Sequence, residues 1–109
     1  MNIEIMNLRN EKPSQPYDFY IDRRTPVGNP FQMNKESDRE MVCDKYVGWF
    51  NKQQEDWLVV RYLERLERVY KKYDKLRLFC WCVPKECHGY TIKNFLINKI
   101  EIDRFEKGE

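Results

Sequence analysis

The chain has 109 residues, 41% hydrophobic, 15% aromatic and 35% charged, with a formal net charge of +2. That length supports one modest core, so one α/β domain over residues 1–109 is expected, and the balanced charge announces neither a nucleic-acid binder nor an acidic tail. No apolar run approaches the roughly 18 residues that span a bilayer, and the amino terminus shows no basic-then-apolar leader, so a soluble cytoplasmic protein without a membrane partner is expected.

In chain order, residues 3–8 carry Ile3, Ile5, Met6 and Leu8 and read as a strand. A polar loop with Pro13 and Pro16 follows. Residues 17–21 combine aromatic and β-branched side chains and predict a second strand. Two prolines and Gly28 make residues 22–31 a turn-rich loop. Ser37 and Glu40 stand at the spacing of a capping box, which opens a helix with Val42, Tyr46, Trp49 and Phe50 on one face and a pause near Gly48 or residues 51–54.

A second helix is predicted over residues 55–73. Val59, Tyr62, Leu63, Leu66, Val69, Tyr70 and Tyr73 line its buried side, and Glu64, Arg65, Glu67, Arg68, Lys71 and Lys72 form its solvated one. Residues 76–83 alternate Leu76, Leu78, Cys80 and Cys82 with Phe79, Trp81 and Val83. Both faces are apolar, the pattern of an interior strand with helices on both sides, and the run stops at Pro84. A last helix follows with Ile92, Phe95, Leu96 and Ile100 as its stripe; residues 101–109 either extend it or fray.

The order strand, strand, loop, helix, helix, strand, helix predicts a small layered α/β fold. About three helices would cover a short sheet of three or four strands, at least partly parallel because the second and third are joined by a long helical crossover. Sites in such sheets lie beyond the carboxyl ends of the strands, which puts the loop after Ile21 and the turn after Cys82 on one rim.

Three of the four cysteines and the single histidine lie in that turn. The same residues support three kinds of chemistry. Cys80, Cys82, Cys87 and His88 are donors for zinc, but C-x-C-x4-C-H is not a common zinc spacing, so the metal is not favoured and reduced thiols are expected. Cys87 at a helix start beside His88 would be an activated thiolate, giving Cys87 and His88 as the catalytic pair. The free amides of the same helix start would instead hold an anion, with Arg23 and Arg24 facing it and Asn29 and Arg39 as further contacts.

Two blocks, Tyr20-Ile-Asp-Arg-Arg-Thr-Pro-Val-Gly-Asn-Pro-Phe31 and Leu78-Phe-Cys-Trp-Cys-Val-Pro-Lys-Glu-Cys-His-Gly89, resemble the signatures of a small bacterial and phage family, domain of unknown function 4326. Arg39, Tyr46 and Trp49 fit its middle part. The chain departs from it at Tyr90, where many members carry an acidic residue. If that acid serves chemistry, the departure implies binding without turnover. The resemblance carries no activity; similar folds imply nucleotide-related ligands.

The leading expectation is a binder of a small anionic ligand, a nucleotide or phosphorylated metabolite. Its pocket would join the loop over residues 23–31 to the turn over residues 82–88, through Arg23, Arg24, Asn29, Arg39, Cys82 and His88. A phage-type module that binds a host protein in the host cytoplasm is the alternative, and a metal-stabilised Cys/His module the third. Lys71, Lys72 and Lys75 with Tyr70 and Tyr73 give nucleic-acid binding little support, and oligomeric state is not legible.

Overall fold

Two short strands, β1 (Ile3–Asn7) and β2 (Asp18–Tyr20), flank a third, β3 (Leu76–Cys80), in a sheet of order β1-β3-β2, and both pair with β3 in parallel. The computed structural model describes residues 1–82 and 87–108. The expected strand end at Val83 and stop at Pro84 lie outside them. Three helices complete the mixed α/β fold: α1 (Arg39–Lys52), α2 (Trp57–Tyr73) and α3 (Gly89–Glu106), the last taking in most of the carboxyl-terminal tail. No helix among the described residues is long and apolar enough to cross a membrane.

One face of β3 and the helices make the core. Leu76, Leu78 and Cys80 are fully buried with Ile3 of β1, Tyr46 and Phe50 of α1, Leu63, Leu66 and Tyr70 of α2, and Ile92, Leu96 and Ile100 of α3. Each aliphatic side chain moved out of water contributes about 1.5–3 kcal/mol, so this one cluster dominates stability. The other face of β3 differs from expectation. Phe79 is buried there, but Arg77 beside it pairs with Asp18 through Nε and Nη2, both at 2.8 Å, and also with Glu11. Around Arg77 a polar network stands where helical cover was expected.

The helix boundaries also need correction. Ser37 does not cap α1: residues Glu36–Asp38 form a 3-10 turn, and no side chain caps the helix at Asp38. The acidic partner in this turn is Glu36, whose carboxylate takes both Nε and Nη2 of Arg39. Gly48 does not interrupt α1, which runs on to Lys52 before a 3-10 turn at Gln53–Glu55. The start of α2 is capped by Asp56, which accepts the Leu58 amide at 2.9 Å. Glu67, expected on the solvated side, is buried and pairs with Lys71 at 3.1 Å. Tyr73, expected on the buried side, is exposed.

Candidate functional site

Parallel pairing brings the carboxyl ends of all three strands to one rim, and a cavity of ≈ 570 Å³ opens there. It is walled by the loop after β2, the first turns of α1, the residues just past β3 and those that open α3. Arg23, Arg24, Asn29, Arg39, Cys82, Cys87 and His88 all line it. Phe31, within the foreseen loop, lines it too, and Asp22, Gln32, Met33, Val42, Cys43 and Trp81 line it without having been foreseen as site residues. Trp81 was read as packing with Phe79; it is 50% exposed, because β3 ends at Cys80 and the alternation ends with it.

The 22–31 loop is built to hold its arginines. Arg23 donates from Nε to the Asn29 carbonyl at 2.9 Å and from Nη2 to the Phe31 carbonyl at 3.2 Å, which folds the loop around its own guanidinium. Gly28 makes that possible, since a Cβ there would stand 2.5 Å from the Arg23 Cα. Arg24 pairs with Asp22 at 2.9 Å and lies over the Tyr20 ring, and Asp22 in turn accepts the Trp81 indole N–H at 3.1 Å. The Asp22 pair holds Arg24 firmly protonated. Tyr46 of α1 donates its hydroxyl to the Val27 carbonyl at 2.6 Å and packs edge-on against the His88 ring, so one buried tyrosine ties the loop to the start of α3. Desolvation pushes that phenol upward and keeps it a donor.

His88 is 6% exposed and its Nε2 lies 2.6 Å from the Ile21 carbonyl. A carbonyl only accepts, so Nε2 carries the proton and, in the neutral ring, Nδ1 carries the lone pair. Nδ1 points to the Cys87 sulfur at 3.5 Å. The sulfurs of Cys80, Cys82 and Cys87 all lie within 4.8 Å of one another, with Cys80 and Cys87 at 3.0 Å. None of the four cysteines is in a disulfide. The three sulfurs therefore face a common point, and the His88 Nδ1 borders it beside Cys87. Among the described residues these three sulfurs are the grouped donors able to hold a metal, with Nδ1 as the adjoining fourth.

Two expectations about this corner change. The activated thiolate was placed on Cys87, but hydrogen bonding to Cys80, then to Cys82, together with burial pushes the Cys87 thiol up. Cys82 is the sulfur held low, by hydrogen bonds from Cys80 and then Cys87, and the Arg39 guanidinium interacts with it. The amides at the start of α3 were expected to be free for an anion. Instead Gly89 N–H reaches the Cys87 sulfur at 3.4 Å, Tyr90 N–H the Cys87 carbonyl at 3.2 Å and Thr91 N–H the His88 carbonyl at 3.1 Å. The first turn satisfies itself.

Among known families, the one described as Domain of unknown function (DUF4326) matches residues 6–98, which takes in both motif blocks and every residue of the site. No curated protein and no solved structure matches the chain.

Proposed function

We propose that this chain, which belongs to the family Domain of unknown function (DUF4326), binds a small anionic ligand in the cavity at the strand ends, a nucleotide or phosphorylated metabolite. The observation that carries the reading is the grouping of three guanidinium groups, Arg23, Arg24 and Arg39, with one half-exposed indole, Trp81, around a single hollow. Against them stand two carboxylates, Asp22 in the lining on Arg24 and Glu36 on Arg39, which leaves the wall net positive. An excess of fixed positive charge in a concave, low-dielectric wall selects an anion, and guanidinium forks suit phosphate oxygens. The volume is within the range of roughly 300–1,000 Å³ usual for small-molecule sites.

Recognition would come from side chains, because the α3 amides are already bonded. Arg23 is held in place by two backbone carbonyls, so little of its rotamer freedom remains to be lost on binding. The Trp81 face would stack a planar base, a contact worth about 1–3 kcal/mol where it is measured in nucleic-acid complexes. No step of bond making is assigned: the histidine proton is spent on Ile21 and the Cys87 thiol is disfavoured as a thiolate.

Thermal shift against nucleoside mono-, di- and triphosphates and inorganic phosphate tests this. A ligand at a hundredfold its dissociation constant stabilises by about 2.7 kcal/mol. Arg24→Gln, which leaves the Arg23 carbonyl bonds in place, should weaken every anion, and Trp81→Ala only those that carry a base. A panel without any shift would remove the anion reading and leave a protein partner as the alternative.

A further inference from the structure

We propose that Cys80, Cys82, Cys87 and the Nδ1 atom of His88 form a tetrahedral zinc site that pins the end of β3 to the start of α3. The donors come from both sides of residues 83–86. Around one zinc, at ~2.3 Å for sulfur and ~2.0 Å for nitrogen, tetrahedral donors stand about 3.5–3.8 Å apart. Here the Cys87 sulfur is 3.5 Å from Nδ1 and 3.0 Å from the Cys80 sulfur, and the three sulfurs stay within 4.8 Å of one another. The sulfurs already stand near that spacing and Nδ1 reaches it at Cys87, so a turn of the imidazole toward the other two sulfurs completes the set.

The surroundings point the same way. A histidine that binds a metal through one nitrogen donates its other N–H to a carbonyl or carboxylate, and His88 does so to the Ile21 carbonyl at 2.6 Å. That bond aims the lone pair at the sulfurs. Zinc with three thiolates carries one net negative charge, and the positive groups that offset it are in place: the Gly89 amide on the Cys87 sulfur and the Arg39 guanidinium on Cys82. Three thiolates and an imidazole in a tetrahedral set favour zinc over magnesium, calcium or manganese, which take oxygen ligands. The rival use of these thiols is a Cys80–Cys87 disulfide, which would leave Cys82 and Nδ1 gathered beside it for no purpose. The site does not rest on the anion reading, although Cys82, Cys87 and His88 line the cavity as well and Arg39 borders both.

The test is metal content and cobalt spectroscopy on the whole chain. The protein should purify with one zinc per chain, and replacement by Co(II) should give sulfur-to-cobalt charge-transfer bands in the near ultraviolet with the intense visible bands of a tetrahedral ion. Cys82→Ser should weaken zinc binding by at least about 100-fold. Should that variant fail to fold, the cobalt spectrum of the unaltered chain decides alone. Absence of thiolate-to-cobalt bands after reduction and metal loading would overturn the proposal, and so would a protein whose mass is lower by two hydrogens and which binds no metal until reduced.

Discussion

The Nε2 of His88 donates to the carbonyl of Ile21 at 2.6 Å, joining the first residue beyond β2 to the residue that opens α3. Both residues are buried, so this bond is what fixes the distance between the two walls of the cavity.

His88→Ala removes the donor and leaves the Ile21 carbonyl buried and unpaired, a loss of roughly 1–3 kcal/mol, with the packing of the ring on Tyr46 lost besides. Denaturant unfolding in the presence of a strong chelator reads the hydrogen bond apart from any metal. An unchanged midpoint under those conditions would show that the bond holds nothing together.

Asp18 predicts an acid limb in the stability curve. Burial alone would raise its carboxyl, but the bond from Arg77, then the amides of Ser14 and Gln15, win and hold it below its ordinary 3.8. A carboxyl with a lowered folded value contributes stability that is fully present above the unfolded value and is lost as pH falls through the folded one. Stability should therefore be flat with respect to Asp18 above about pH 5 and fall below about pH 4. Asp18→Asn should cost about 3 kcal/mol at neutral pH and flatten that limb, as seen in chemical denaturation across pH. An undiminished limb in the variant would assign acid sensitivity elsewhere.

Gly28→Ala should damage the site more than the fold. The added methyl collides with the Asp22 and Arg23 backbone, so the loop must open and Arg23 must give up its two carbonyls. Overpacking of this kind costs about 1–3 kcal/mol. The anion whose binding shifts the melting temperature of the unaltered chain should lose most of that shift in the variant. Equal shifts in both would separate the loop from recognition.

The sheet was legible because residues 76–80 are apolar but for Arg77 and a long helical crossover separates them from β2, which together dictate a central parallel strand. The same topology made the rim legible, and with it the meeting of Arg23 and Arg24 with His88. What sequence could not reveal was competition for hydrogen-bonding groups. Ser37 and Glu40 have the spacing of a cap, yet Glu36 captured Arg39 and the helix began later. The α3 amides were open to an anion until the Cys87 sulfur and the carbonyls of residues 87 and 88 took them. The cysteines were legible as a group but their spacing argued against a metal, because spacing rules for zinc describe continuous knuckles, whereas here the sulfurs gather from a strand end and a helix start.

The order of the strands governs when this protein can fold during its synthesis. Both edge strands emerge from the ribosome early and have no neighbour to pair with until Leu76–Cys80 follows, because each bonds only to the central strand. The nascent chain must therefore carry its first two apolar segments unpaired until residues 76–80 have been made, an interval in which chaperone capture competes with folding.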